Sequence, residues 1–441
     1  MTAPRRSPPA FREAIRLARV PPYPFAELER RAAEQERPGR PVLKFAIGDP
    51  DLPPPEVLTR ALAEILRSDP TSHGYSTSRG EPTLREAVAR FLRVRFGVPI
   101  DPEREVAILV GSKEGLSGLP RALLGPGEAV AVPDPGYPAY VAAALLNDLA
   151  VERLPLRPGG GWLPDWEGLS ARVGLAYLNY PNNPTGQVAR LPDLKEAVDW
   201  AHDHGSALAF DNAYSEITYG SEPAPSILEV PGAREVAVEF HSLSKTFGIP
   251  GWRVGFAVGN PDLLRLLVRL KSQSDSGAAT PLQRAAVAAL GLYRGRERPP
   301  EVARAVATYG ERIRALAAGL EALGLEVVPP QGALYVWQRV RSGGADLAER
   351  LLDRAGILVT PGSAFGRGGE EYVRWSVTRP LSEIETALRR LPAALSPRRG
   401  GGDGAPAAGT PPEPPPGTGS AGSGSSSPRR RARPATRRSP G

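Results

Sequence analysis

The sequence of 441 residues contains no cysteine, a single methionine and only five lysines. The absence of cysteine excludes disulfides, thiolate metal sites and cysteine nucleophiles. No apolar run approaches the roughly 18 residues that a membrane-spanning helix requires. No apolar stretch typical of a secretory signal follows the first residues. We therefore expect a cytoplasmic protein without a membrane segment.

Histidine is also scarce, with four residues in the whole chain. His202 and His204 lie two positions apart near the end of a predicted helix, so their side chains cannot share one helical face. Two metal ligands on one helix need such a shared face. We therefore expect no metal site.

The positive charge of the chain is unevenly distributed. The net charge is +7, and the last 46 residues carry eight arginines against Asp403 and Glu413, which accounts for +6. Glycine, proline and serine dominate the same stretch, so we predict a disordered tail over residues 393–441. Because the rest of the chain is nearly neutral, contact with nucleic acid is expected only through this tail.

Between residues 46 and 293, short apolar runs alternate with amphipathic stretches such as Glu81–Arg95 and Leu191–His204. This alternation is typical of an α/β fold with a mainly parallel sheet buried between helices, an α/β/α arrangement. We expect this region to form a large domain. The strands predicted for it and for the segment just before it are Val42–Ile47, Val106–Val110, Ala129–Val132, Val151–Leu156, Leu175–Asn179, Ala207–Phe210, Val236–Phe240 and Val254–Val258.

The pattern changes after residue 293. Residues 294–392 combine the long helical stretch Glu301–Leu323 with strand-like runs, which predicts a smaller α+β domain. A helix over Pro24–Glu36, within residues 24–45, is expected to pack on that domain, and residues 1–23 form an N-terminal arm. The strand-like runs are Leu325–Pro329, Leu334–Val340, Ile357–Thr360 and Tyr372–Thr378.

Two chemically distinctive residues follow predicted strands. Asp211 comes directly after Ala207–Phe210, and Lys245 follows Val236–Phe240 across four residues. Because ligands of open α/β sheets bind at the carboxyl ends of the strands, both residues are candidates for one site. A lysine that condenses with an aldehyde and an aspartate that pairs with a pyridine nitrogen suit pyridoxal phosphate. A structural ion pair, or two unrelated loop residues, remains the alternative at this point.

Three more strand ends contain polar or aromatic residues. Ser112 follows Gly111 at the start of a helix, where amide groups can bind a phosphate, although an ordinary helix cap looks the same. Tyr137 is placed to stack on a flat ring or to pack in the core. Asn183 lies in a rigid polar string that runs from Tyr180 to Gly186. Five strand ends thus bring complementary groups to one edge of the sheet.

Four motifs resemble those of class I/II aminotransferases, the pyridoxal-phosphate enzymes of fold type I. The motifs are Asn183-Pro184-Thr185-Gly186, Asp211-x-x-Tyr214, Ser242-Leu243-Ser244-Lys245 and Gly251-Trp252-Arg253-Val254-Gly255. The resemblance extends from about Phe25 to Leu391. It implies that residues 46–293 bind pyridoxal 5′-phosphate and that residues 294–392 form the small domain.

The resemblance also implies a role for each matching residue. Lys245 would bind the cofactor covalently and, once released, move the α-proton of the substrate. Asp211 would keep the pyridine nitrogen protonated, and Tyr214 and Asn183 would hydrogen-bond the 3′-oxygen. Tyr137 would stack on the ring. The phosphate would be bound by Ser112, Lys113, Ser242 and Arg253.

For the substrate, the resemblance implies Arg374 as the partner of the α-carboxylate, with Asn183 beside it and Gly48 passing close beneath. It further implies a homodimer in which Tyr75 reaches the phosphate of the neighbouring subunit. An amino acid would donate its amino group to 2-oxoglutarate by a ping-pong mechanism.

The surrounding strings are most similar to those of bacterial LL-diaminopimelate aminotransferases, which act in lysine biosynthesis. Asp134-Pro135-Gly136-Tyr137-Pro138 and Asp275-Ser276-Gly277 are two of them. In one departure, Ser78-Arg79 stands where the plant-type enzymes have an acidic residue for the distal ammonium group. An alanine or broad-specificity aminotransferase is the alternative, and a β-lyase on the same fold is a third reading. A transcriptional regulator is rejected because too few residues precede Phe25 for a winged helix.

Overall fold

The computed structural model of the protein describes residues 11–220 and 222–395. The predicted tail lies outside the described residues, except for residues 393–395, which belong to the last helix. No helix in the two described ranges is long and apolar enough to cross a membrane.

Proline begins several of the helices. Pro24, Pro82, Pro138, Pro261 and Pro300 each occupy a first helical position, where the missing N–H costs nothing and the fixed φ suits a helix. The α-helices of the described ranges are α1 (Ile15–Ala18), α2 (Pro24–Gln35), α3 (Glu56–Ser68), α4 (Pro82–Phe96), α5 (Ser112–Leu123), α6 (Pro138–Leu146), α7 (Leu191–His204), α8 (Ala233–Val236), α9 (Leu243–Thr246), α10 (Pro261–Lys271), α11 (Thr280–Leu290), α12 (Pro300–Ala322), α13 (Gly344–Arg350) and α14 (Leu381–Leu395).

The strands belong to three sheets. They are β1 (Leu43–Lys44), β2 (Val106–Leu109), β3 (Ala129–Asp134), β4 (Ala150–Arg157), β5 (Leu163–Pro164), β6 (Val173–Asn179), β7 (Ala207–Asp211), β8 (Ala237–Ser242), β9 (Gly255–Gly259), β10 (Glu326–Val328), β11 (Tyr335–Arg339), β12 (Ile357–Leu358), β13 (Thr360–Pro361) and β14 (Tyr372–Ser376).

The large sheet has eight strands in the order β2-β9-β8-β7-β6-β3-β4-β5. The pairs from β4 through β3, β6 and β7 to β8 are parallel, while β9 is antiparallel to both of its neighbours. The expected mainly parallel sheet is therefore confirmed. Because β2 runs in the same direction as β8, the carboxyl ends of β2, β3, β6, β7 and β8 all meet at one edge.

Helices cover both faces of this sheet. In β2, Val106 and Ile108 pack in one hydrophobic cluster, while Ala107 and Leu109 pack in the cluster on the opposite face. Alternate side chains of a strand point to opposite faces, so a strand that is apolar at every position must be covered twice. Removal of both faces from water is the main term that stabilises this layer.

A second, antiparallel sheet has the order β10-β11-β14-β13. Its cluster includes side chains of α12, α13 and α14, among them Leu316, Leu347 and Ile384. Phe25 and Leu28 of α2 belong to one hydrophobic cluster with Trp337 of β11. The domain boundaries predicted from the sequence stay a prediction.

Two predicted strands were wrong in their extent or their partners. Only Leu43–Lys44 of the predicted strand Val42–Ile47 is extended and paired, and its partner is Ile357–Leu358 rather than the large sheet. The predicted strand Ile357–Thr360 is divided, because Thr360 pairs with Arg374 in the antiparallel sheet instead. An apolar run shows that a segment is buried but not which distant segment it pairs with.

Candidate active site

A cavity of about 410 Å³ lies at the edge where the carboxyl ends of the parallel strands meet. Its wall contains every site residue predicted from the sequence except Tyr75. These residues are Gly48, Ser112, Lys113, Tyr137, Asn183, Asp211, Tyr214, Ser242, Lys245, Arg253 and Arg374.

Asp211, the last residue of β7, is buried at the base of the cavity. Its Oδ2 accepts a hydrogen bond of 2.7 Å from the hydroxyl of Tyr140, whose ring stacks on Tyr177 at 4.5 Å. Its Oδ1 is also buried and has no hydrogen-bond partner among the described residues. Burial raises the pKa of Asp211 to about 6, although the Tyr140 hydroxyl acts in the opposite direction.

The unpaired Oδ1 of Asp211 indicates whether the cavity suits pyridoxal phosphate, the expected cofactor. A buried acceptor without a donor is costly, so such an atom in a cavity indicates a donor from a ligand. A protonated pyridine nitrogen supplies one donor together with a positive charge. The donor set at the base of this cavity therefore fits pyridoxal phosphate.

Lys245 lies in the short helix α9, which follows β8. Its amine donates a hydrogen bond of 2.8 Å to the carbonyl oxygen of Gly48, and the nearest carboxylate, Asp49, is 3.8 Å away. Gly48 has no room for a side chain, because a Cβ there would lie 2.3 Å from the hydroxyl of Tyr335. The carbonyl oxygen that holds the Lys245 amine in the cavity therefore belongs to a backbone segment packed against Tyr335.

Polar groups cluster at the end of the cavity where β2 and β8 finish. Ser112 begins α5, so its amide lies at the positive end of a helix dipole, and Ser242 ends β8. Gly111 has a φ of +71°, and a Cβ there would lie 2.3 Å from Arg253 Nη2. Only glycine lets the Arg253 guanidinium lie against this turn, so hydroxyl, amide and guanidinium donors converge.

Arg374 is the most unusual charge in the cavity. It lies on β14, is fully buried, and donates hydrogen bonds to Asn183 Oδ1 at 2.7 Å and to the carbonyl oxygen of Ala46 at 2.5 Å. No carboxylate forms an ion pair with it within residues 11–220 and 222–395, and its Nε has no hydrogen-bond partner there. Burial lowers the pKa of Arg374, because the charged guanidinium loses its hydration without gaining a carboxylate partner.

Aromatic rings surround the Arg374 guanidinium. Its central carbon lies 4.1 Å from the centroid of Tyr335 and 4.7 Å from that of Phe365. The hydroxyl of Tyr335 also forms a 2.8 Å hydrogen bond with the hydroxyl of Tyr214. Ring faces stabilise a cation without neutralising it, so Arg374 remains able to bind an anion.

Lys113 lies at the mouth of the cavity. Its amine is 4.6 Å from the ring centroid of Tyr23 and 5.9 Å from that of Tyr137. Burial lowers the pKa of Lys113, and the nearby charge of Arg253 adds to this effect. The mouth therefore combines a cation with a phenol rather than being closed by aliphatic side chains.

Tyr75 lies apart from the cavity of its own chain and is 97% exposed. Its loop is nevertheless well anchored, because Thr280 donates a hydrogen bond to the carbonyl oxygen of Gly74 and Gln283 donates one to Ser76 Oγ. The expected contact of Tyr75 with a neighbouring subunit stays a prediction.

Sequence reasoning assigned no role to three residues of the site. Asn179 ends β6 and accepts the backbone amide of Asn183 at 2.8 Å, so the rule used for the other strand ends points to it as well. Tyr140 and Tyr335 had no such signal, because a tyrosine in a helix or a strand usually packs in a core.

The chain was also compared with known families and proteins. A family model described as aminotransferase class I and II matches residues 40–391. The chain belongs to this family. The aminotransferase motifs recognised in the sequence lie within the matched residues, and the cavity contains Asn183, Asp211, Lys245 and Arg253 from them.

Relatives of this aminotransferase match most of its length. An LL-diaminopimelate aminotransferase of Desulforudis audaxviator is 41% identical over 393 residues, which cover 88% of this chain and 98% of the relative. One from Aquifex aeolicus is 40% identical over 387 residues, covering 86% of this chain and 98% of the relative.

Solved structures show the same fold. A probable N-succinyldiaminopimelate aminotransferase of Thermus thermophilus has a TM-score of 0.78 at 36% identity, covering 84% of this chain and 100% of that one. A Thermus thermophilus aspartate aminotransferase mutant has a TM-score of 0.81 at 29% identity, covering 88% and 100%. The protein is a fold-type I, pyridoxal-phosphate-dependent aminotransferase, as its sequence predicted.

Proposed function

We propose that this aminotransferase is a cytoplasmic homodimer that transfers the amino group of LL-diaminopimelate to 2-oxoglutarate, a step of lysine biosynthesis. The observation that carries the amino-acid part of the proposal is the buried Arg374, which lacks a carboxylate partner among the described residues and lines the same cavity as Lys245 and Asp211. The names of the curated relatives support the choice of donor.

Arg374 would bind the α-carboxylate of the donor. Its guanidinium is already oriented by Asn183 and by the carbonyl oxygen of Ala46. A carboxylate would supply the missing negative charge, and charge-assisted hydrogen bonds of this kind are among the strongest in proteins. Binding through Arg374 would fix the α-carbon near the amine of Lys245.

When bound, pyridoxal phosphate supplies an electron sink for the charge left on the α-carbon after its proton departs. Lys245 would take that proton and return it on the other side of the reaction, since its amine lines the same cavity. Asp211 would keep a proton on the pyridine nitrogen through its free Oδ1. Ser112, Ser242, Arg253 and the backbone amide of Lys113 would bind the phosphate, and Tyr137 would stack on the ring.

The choice of donor depends on the mouth of the cavity. LL-diaminopimelate has a second amino-acid group at its far end, and charged groups are costly to desolvate unless they are paired. Lys113 offers a cation for the distal carboxylate, and the Tyr23 hydroxyl offers an acceptor for the distal ammonium. In the dimer, the neighbour's Tyr75 loop and its Gln273–Gly277 segment would complete this end.

Initial rates with 2-oxoglutarate and a panel of LL-diaminopimelate, alanine and aspartate test the proposal. We expect LL-diaminopimelate to have the highest kcat/KM. A higher value for alanine with no reaction of LL-diaminopimelate would refute the donor and favour the alanine alternative. A separate assay with β-chloroalanine, which has a leaving group on its β-carbon, tests the third reading: release of chloride, ammonia and pyruvate without a 2-oxo acid acceptor would indicate a β-lyase.

Two variants sharpen the assay. Lys113→Met should raise the KM for LL-diaminopimelate by about tenfold while changing alanine turnover little, because a hydrogen bond to a charged group is worth about 1.5–3 kcal/mol and about 1.4 kcal/mol corresponds to a factor of ten. Lys195→Met is the matched control, since Lys195 forms an exposed ion pair with Asp199 on α7 and with no other carboxylate in residues 11–220 and 222–395. Equal effects of the two variants would exclude Lys113 from donor selection.

A further inference from the structure

Lys271 has no part in the chemistry described above, yet its side chain is 0% exposed. It ends α10, and its amine lies 2.9 Å from Glu114 Oε2 and 2.8 Å from Asp275 Oδ1. A lysine is rarely buried so completely unless it is paired. The cluster of Lys271, Glu114 and Asp275 therefore joins α5 to the end of α10 and the turn that follows it, through one buried cation.

Glu114 connects this cluster to the phosphate end of the active site. The carboxylate oxygen that contacts Lys271 also accepts the backbone amide of Val110 at 3.0 Å. Val110 begins the turn in which Gly111 lies against Arg253 and Ser112 starts α5. The Glu114 side chain thus connects Lys271 to this turn, so a displacement of Lys271 would displace the turn.

Asp275 connects the cluster to the Tyr75 loop. Its Oδ1 accepts the amide of Gly277 at 2.7 Å, and Gly277 has a φ of +107°. A Cβ on Gly277 would lie 2.7 Å from the carbonyl oxygen of Thr77, so the two backbones are in direct contact. The Tyr75 loop, residues 74–77, therefore rests on a segment that Lys271 fixes.

We propose that Lys271 is a positioning residue that sets the spacing between the phosphate-binding turn and the Tyr75 loop. Separating opposite charges in a buried cluster costs much free energy. This ion cluster therefore resists a shift of α10 relative to α5 better than an apolar contact would. The inference rests on the proposed dimer, in which Tyr75 completes the neighbour's site. In that dimer, each Lys271 shapes part of its own active site and part of its neighbour's.

Hybrid dimers test this inference if only one of their two active sites retains Lys245. The site with Lys245 is called the live site. One subunit carries Lys245→Ala, so that the absorbance of lysine-bound cofactor, followed as the concentration of free pyridoxal phosphate is varied, reports on the other subunit's site alone. Lys271→Met is placed either in the live subunit or in the Lys245→Ala subunit. Lys195→Met in the same two positions is the control, because Lys195 is exposed and distant in sequence from the cluster.

We expect Lys271→Met to weaken cofactor binding at the live site by about fivefold to tenfold from either subunit, which is the size of coupling carried by contiguous networks. Lys195→Met should have no effect from either subunit. Asp275→Asn, which keeps an acceptor for the Gly277 amide, should weaken binding in the same direction by a smaller factor. This milder variant decides the question if Lys271→Met does not fold.

The effect from the Lys245→Ala subunit separates positioning from general stability. A purely structural Lys271 would lower the thermal midpoint and leave the affinity of the intact live subunit unchanged, which would overturn the inference. Tyr75→Phe in the Lys245→Ala subunit distinguishes this failure from a failure of the proposed Tyr75 contact across the dimer. If Tyr75→Phe weakens the live site while Lys271→Met does not, only the inference is wrong. If neither does, the proposed contribution of Tyr75 to the neighbouring site is wrong as well.

Discussion

Two buried arginines in this protein have opposite surroundings. Arg95 and Glu216 are each 1% exposed and form two hydrogen bonds, of 3.0 and 2.9 Å. Arg374 is buried to the same degree, but within the described residues it has only neutral acceptors and aromatic rings around it. One charge is neutralised by the fold, and the other is not.

The difference separates a structural role from a binding role. Glu216 belongs to the segment that follows Tyr214, so its pair with Arg95 holds this segment in place. A buried ion pair needs both partners, because either charge alone is costly in a medium of low polarity. Arg374 bears this cost in the substrate-free protein, and a bound carboxylate would remove it.

Two of the lysines repeat the contrast. Lys271 is enclosed by Glu114 and Asp275, whereas Lys245 donates to a backbone carbonyl and lies 3.8 Å from Asp49. Two short ion pairs fix Lys271, whereas the single long ion pair of Lys245 leaves its amine available for chemistry. Close pairing, rather than burial alone, distinguishes the framework of this fold from its reactive groups.

The largest effect should come from the unpaired oxygen of Asp211. Asp211→Asn keeps the size of the side chain but removes the charge that stabilises a protonated pyridine nitrogen. We expect turnover to fall by about a thousandfold, comparable to the loss of a key electrostatic contact elsewhere. Asp199→Asn, on the exposed face of α7, is the control. A loss below tenfold would mean that the ring charge is stabilised by other groups.

A smaller effect should follow from Arg374→Met. This substitution should lower kcat/KM for the amino donor by about a hundredfold, since truncating one partner of a buried charge pair typically costs 2–5 kcal/mol. The loss should appear mainly in KM. Reaction with a simple amine that lacks a carboxylate should be unaffected. A donor efficiency within tenfold of the wild type would assign the carboxylate to another residue.

The smallest of these effects concerns pH. Because burial raises the pKa of Asp211 to about 6, its carboxylate is ionised above that pH and neutral below it. Pairing with a cation favours the ionised form, so the affinity of the cofactor-free protein for pyridoxal phosphate should fall as the pH drops below about 6. The expected slope is up to about tenfold per pH unit.

Titration of cofactor binding between pH 5 and pH 8, in the wild type and in Asp211→Asn, measures this dependence. The phosphate of the cofactor titrates in the same range in both proteins. The difference between the two curves therefore isolates Asp211. Parallel curves would show that Asp211 does not titrate there.

The sequence predicted much of this site because one rule covers it. Asp211, Asn183 and Ser112 each follow an apolar strand, and parallel strands bring their carboxyl ends to one edge whatever their order. The motif resemblance added Arg374, which lies on an antiparallel strand of the other sheet and obeys no such rule. Its burial and its lack of a carboxylate were visible only in the structure.

Other features depended on contacts between distant residues. Val42–Ile47 has the composition of a sheet strand, but its neighbours are about 310 residues away, at Ile357–Leu358. Tyr140 and Tyr335 are ordinary aromatic residues in sequence, and only packing gives them Asp211 and Arg374 as partners. Local patterns predict burial, whereas these pairings follow from the way the layers assemble.

The contrast between Arg95 and Arg374 can be measured directly as the free energy of unfolding of the substrate-free protein. Arg95→Met leaves Glu216 buried and unpaired, so a loss of about 3–5 kcal/mol is expected. Arg374→Met removes an uncompensated charge and exposes its two former acceptors to a cavity that water can enter. Its loss should be about 1 kcal/mol or less. Equal losses in the two variants would contradict the claim that Arg374 is an unpaired charge reserved for the substrate.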